Sequence, residues 1–141
     1  MNPNFSTLSR VGAAGCLAAS GVIHAQLYLQ GYRVIPEVGP AFLLQASGSL
    51  AVALLLLLTP AAIPRLAAAG AIPQLVAAGL AAGALGGFVL SRTRGIFGFI
   101  EYGLQPAPQA LISVIVELAT LGLLAAELLA SRNAVRSVRV P

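Results

Sequence analysis

Two ionisable residues, His24 and Glu117, stand deep inside apolar stretches of the sequence, and chemistry has its first foothold there. An imidazole can exchange a proton, donate or accept a hydrogen bond, or ligate a metal; a carboxyl can exchange a proton or hold a cation. His24 precedes Tyr32 by eight residues, roughly 12 Å at helical rise, and Glu117 sits at least as far from the start of its own stretch. At helical spacing Leu17, Ser20, Gly21, His24 and Tyr28 share one face, as do Gln109, Ser113, Glu117, Thr120 and Glu127, and Gln45 with Ser49. A carboxylate facing lipid costs several kcal/mol, on the order of 3 or more. These faces are therefore expected to turn inward and meet in a direct His24 to Glu117 contact, with Arg92 or Arg94 as the other cations in reach. The candidate ligand-binding set is His24, Tyr28, Gln45, Glu117, Glu101, Arg92 and Arg94. The same pair can equally serve structure, as a buried hydrogen bond that fixes helix register. Glu127, close to Arg132, reads as an interfacial side chain outside any site.

Known catalytic patterns find no residues to build them. The chain has no Asp, no paired Cys, no His-x-x-x-His, no nucleophile elbow and no phosphate loop. Its single Cys16 rules out dithiol chemistry and reads as a buried structural thiol. A lone His is a poor metal site and cannot supply two axial haem ligands. No catalytic residue and no particular cofactor are specified.

The elements that must position these residues follow from composition. Of 141 residues, 58% are hydrophobic and 9% charged, with a mean hydropathy of +0.92. A soluble domain carries about a quarter charged residues, so lipid is the expected surrounding. The chain is expected to be a single all-α membrane domain, an antiparallel bundle of four transmembrane helices at residues 8–29, 40–58, 67–90 and 108–130. Each is close to the roughly 20 residues that cross a hydrocarbon core. Pro40 and Pro108 suit first-turn positions, and Pro73 marks either a kink or a true start after a loop with Pro64 and Arg65. The first apolar run continues through His24 to Leu29, too long and too polar at its end for a cleaved signal.

All the basic residues are arginine, and they sit at the ends of apolar runs as interfacial anchors rather than in a nucleic-acid-binding patch. Arg10, Arg65, Arg132, Arg136 and Arg139 fall at one end; Arg33, Arg92 and Arg94, with Glu37 and Glu101, fall at the other. The positive-inside rule then places both termini, and a short tail at 131–141, in the cytoplasm. Gly79, Gly83 and Gly87 recur every four residues along the third helix, with Ala82 and Gly86 beside them. Such a smooth strip lets backbones approach closely in lipid. It predicts a central third helix, or self-association.

The two ends of the bundle differ. Tyr28, Tyr32, Phe42, Phe88, Phe97, Phe99 and Tyr102 all fall at the outer end, and only Phe5 lies elsewhere. An aromatic belt belongs at both interfaces, so a one-ended belt asks for a further reason. The connection at 92–107 is too apolar for a solvated loop and too short to span; it is expected to lie along the outer interface or fold over the mouth of the bundle. Glu101 there can pair with Arg33, Arg92 or Arg94.

The strings His24-Ala25-Gln26-Leu27-Tyr28, Gly31-Tyr32-Arg33-Val34-Ile35-Pro36, Phe42-Leu43-Leu44-Gln45-Ala46, Gly86-Gly87-Phe88-Val89-Leu90-Ser91 and Gly95-Ile96-Phe97-Gly98-Phe99, with Glu101, resemble a group of uncharacterised four-helix membrane proteins of high-GC Gram-positive bacteria. The resemblance implies an architecture and a plasma-membrane location, and no activity. Two functions remain open. One is a non-catalytic accessory or scaffold component, whose partners are the bilayer and either further copies or a larger membrane complex. The other is a protein that holds a quinone, lipid, metal or haem in the outer half of the bundle.

Overall fold

The computed structural model describes residues 3–58 and 67–138. Pro64, Arg65 and Arg139, and the side chain of Arg136, lie outside the described residues. Four long helices account for most of the rest: α1 (Pro3–Leu29), α2 (Val38–Leu58), α3 (Ala67–Thr93) and α4 (Gln109–Val138). Each is long and apolar enough to cross a membrane, over Phe5–Leu29, Val38–Leu58, Ala71–Thr93 and Gln109–Asn133.

The helix ends follow local chemistry. Pro3 opens α1, where its fixed φ suits a helix and its missing N–H leaves no donor unpaired. At the other end the Gln30 N–H donates to the Gln26 carbonyl at 2.9 Å, and Gly31 at φ 139° turns the chain into a short 3-10 turn at Tyr32–Val34. Pro40 does fall in the first turn of α2. Pro108 directly precedes α4 and accepts from the Ile112 N–H at 3.1 Å. Pro73 lies inside α3, whose backbone is helical from Ala67. Gly95, at φ 79°, ends α3 by donating to the Leu90 carbonyl at 2.8 Å.

The helix at the centre is α1, not α3. It packs along both α2 and α4, whereas α3 touches those same two more sparsely. Among the buried positions of α1, Ser6, Ser9, Ala13, Leu17, Ser20, His24 and Leu27 form one row, spaced by three or four residues as a packing seam requires. Ala110, Glu117, Thr120 and Glu127 form the matching row on α4. As numbers rise on α1 they fall on α4: Ser6 meets Glu127 and Ser20 meets Glu117. On the α2 side the core joins Ala14 and Leu17 to Val52, Ala53 and Leu56, with Ala77 reaching in from α3.

The glycine strip does not bring α3 close to another helix. A Cβ added at Gly79, Gly83, Gly86 or Gly87 would meet nothing within 4 Å. The face of α3 that packs carries Ala77 and Ala81, both fully buried. Close approach instead occurs at Gly21 of α1, where an added Cβ would lie 3.0 Å from the Ala46 carbonyl oxygen and 2.9 Å from Leu50 Cγ of α2.

Candidate functional site

Along the α1–α4 seam the deep polar residues form a chain through Ser20. Its hydroxyl donates to Glu117 Oε1, and its backbone carbonyl lies 2.9 Å from His24 Nδ1. The expected direct contact between His24 and Glu117 is therefore not made. Ser20 stands between them because it lies one turn before His24 on the face turned to α4. Glu117 is 1% exposed, and its second oxygen has no hydrogen-bond partner among the described residues. Gln45, from α2, lies beside it and donates to Ser49 Oγ at 3.3 Å.

A second buried carboxyl occupies the other end of the same seam. Glu127 accepts from Ser6 Oγ at 2.8 Å and pairs with Arg10 at 3.6 Å. It is buried at 6% exposure, so it is not the interfacial side chain expected from its nearness to Arg132. Two serines of α1 thus serve two glutamates of α4. Ser6 and Ser9 escape a hydropathy reading because they precede the apolar run, although their three-four spacing with Ala13 and Leu17 announces a packed face.

The end of the bundle that gathers the aromatic residues is stitched by Arg92. Its guanidinium pairs with Glu101 at 3.2 Å, donates to the carbonyls of Gly103 at 2.7 Å, Phe88 at 3.3 Å and Gln105, reaches Ser91 Oγ at 2.8 Å, and rests 3.7 Å over the Phe88 ring. The Tyr32 hydroxyl donates to the other oxygen of Glu101. Burial, then the bond to Glu101 and its negative charge, push the Tyr32 hydroxyl above the ordinary tyrosine range, with Arg92 opposing. The connection after α3 folds back as a tight turn in which Ile96 and Phe99 exchange backbone bonds of 2.9 and 2.8 Å. Phe97 and Gly98 occupy its two central positions at φ 52° and 78°, the geometry of a two-residue hairpin turn. Ile96, Phe97, Phe99 and Glu101 of this connection line the same cavity as residues of the four helices.

Beneath the fold-back lies a cavity of about 290 Å³. Tyr32, Phe42 and Phe99 cluster on its wall, with Tyr32 stacked on Phe42 at 4.5 Å and edge-on to Phe99 at 5.8 Å. His24, whose ring centroid is 5.2 Å from that of Phe42, lines it from α1, Gln45 from α2, Arg92 from α3 and Ser113 from α4. Gly83 and Gly87 form part of the α3 wall. These glycines leave space where side chains would fill it.

Of the sequence candidates, His24, Gln45, Arg92 and Glu101 are brought together on the cavity wall. Glu117 is off the wall, one helical turn beyond Ser113. Tyr28 is half-buried and Arg94 exposed, and neither is on the wall. Of the possible partners for Glu101, Arg92 has it and Arg33 does not. Cys16 is half-buried and unpaired. No group of three or more His, Cys, Asp or Glu is placed to hold a metal among the described residues.

Comparison with protein-family models, with curated proteins and with solved structures finds no match to this chain.

Proposed function

We propose that this chain is a multi-pass protein of a bacterial plasma membrane, an antiparallel bundle of four transmembrane helices with both termini in the cytoplasm. Its role is to hold a small lipid-soluble molecule in the outer half of the bundle, without catalysis. The observation that carries this reading is the cavity of about 290 Å³ beneath the aromatic fold-back. That volume lies at the lower edge of ligand-binding cavities, about 300 to 1,000 Å³. Its wall has the usual composition of such a site, mostly apolar and aromatic with a few polar groups. It also supplies a reason for the one-ended gathering of aromatic residues.

The glycines of α3 make the test clean. Gly87 lines the cavity, and a Cβ added there meets no existing atom within 4 Å, so Gly87→Leu is the variant chosen to fill it. Saturable binding of an apolar fluorophore by the purified protein, lost in Gly87→Leu with thermal stability unchanged, is the expected result. Equal, unsaturable partitioning into both proteins would sink the reading.

The accessory-subunit reading retains one observation of its own: Gly79 and Gly86 are exposed, with nothing packed on them. A smooth face of that kind suits a neighbouring helix. A detergent-solubilised protein that stays monomeric and retains no membrane partner would count against it.

A further inference from the structure

His24 allows the class of ligand to be narrowed, on the assumption that the cavity is a binding site. The imidazole is 9% exposed. Its Nδ1 lies 2.9 Å from the Ser20 carbonyl oxygen, which can only accept, so Nδ1 carries the hydrogen. In a neutral imidazole the lone pair then sits on Nε2. No described residue bonds Nε2: the hydrogen-bond contacts of this ring are with Ser20, through Nδ1. His24 therefore offers the cavity an acceptor held in one tautomer and unspent.

Three of the donors on the wall are already committed. Tyr32 donates to Glu101, Arg92 is spread over Glu101 and the backbone of the fold-back, and the Gln45 amide nitrogen is engaged by Ser49. A ligand that only accepts hydrogen bonds would meet the Ser113 hydroxyl of α4 and leave Nε2 unspent. A ligand with a hydroxyl would find Nε2, with the Phe42 ring beside it. The volume admits one or two fused rings. Leu44 of α2 and Gly83 of α3 both line the cavity and are both exposed. The cavity wall thus extends to the side of the helix array that faces hydrocarbon.

We propose that the cavity takes the ring of a phenol- or quinol-class molecule from the bilayer. Its hydroxyl donates to His24 Nε2, and its isoprenoid tail leaves between α2 and α3. A metal at Nε2 is a weaker reading, since one imidazole alone holds a transition metal poorly.

The test is equilibrium binding of naphthol, of its methyl ether, and of a farnesylated naphthol, each corrected for detergent partitioning with Gly87→Leu protein. Wild-type protein is expected to bind naphthol about tenfold more tightly than the ether, the size of one hydrogen bond. His24→Leu should erase that ratio while still binding the ether, and His24→Gln, which keeps an acceptor, should restore part of it. Equal binding of naphthol and ether by wild-type protein overturns the inference and leaves the cavity a binding site. Binding of none of the three removes the binding reading itself, and the inference with it. The farnesyl tail is expected to tighten binding; a tail that adds nothing overturns entry from the bilayer in favour of entry from water. The wild-type ratio decides the matter even if His24→Leu fails to fold.

Discussion

Ser20 joins the two halves of the polar seam, since its hydroxyl serves Glu117 and its carbonyl orients His24. Ser20→Ala removes only the first of these, leaving a buried carboxyl without its donor. A loss of about 1 to 3 kcal/mol is expected, measured by unfolding in detergent, with ligand binding retained. At the other end of the seam, Arg10→Ala strips the cation from a buried carboxylate, and about 3 kcal/mol is expected to be lost. Arg132→Ala, although near Glu127 in sequence, should cost little. The Tyr32 hydroxyl makes a further prediction. Its raised value means that the folded state favours the protonated phenol, so the stability it contributes is complete below the ordinary tyrosine range. That stability is lost as pH rises through the higher folded value. Of the three tyrosines, one should form phenolate last by ultraviolet absorbance; Tyr32→Phe should delete that step, and Glu101→Gln should move it downward.

At the scale of elements, hydropathy made the apolar cores of the helices legible but not their full length. The second and third are close to expectation, but α1 starts at Pro3 and α4 runs to Val138. The difference at α1 is physical: Ser6, Ser9 and Arg10 are too polar to score as membrane, yet Ser6 and Arg10 bond to Glu127 and extend the packed seam. The inward faces of Ser20, His24, Glu117 and Thr120 were readable from helical periodicity. Their exact partners were not, because periodicity names a face and leaves the neighbour across it open. The Gly79, Gly83, Gly87 spacing did not name a neighbour within the chain for the same reason. It reports a smooth surface, and smoothness can admit a helix or leave a cavity. Packing at the two kinds of glycine separates them: Gly21→Val must collide with the α2 backbone and Leu50 and should cost about 1 to 3 kcal/mol. Gly79→Ala should be neutral or slightly stabilising as the better helix former. Thermal unfolding of the two variants side by side checks this.

Across the whole molecule, the two ends have separate tasks. One is closed by the Ser6, Arg10 and Glu127 cluster. The other opens into the cavity under a fold-back held by Arg92 and Glu101. Neither the cavity nor the fold-back's turn could be read from composition, since both depend on Phe97 and Gly98 taking positive φ and on α3 standing off α1. The one-ended aromatic pattern did point to the end where they lie. If the cavity is the working part of the protein, its occupant should survive gentle extraction. Native mass spectrometry of protein released directly from its own membranes tests that most directly. The expected spectrum shows a monomer or small oligomer with one small apolar adduct per chain, absent from Gly87→Leu protein prepared identically. Bare chains in both preparations, with no uptake when membrane lipid extract is added back, would contradict it.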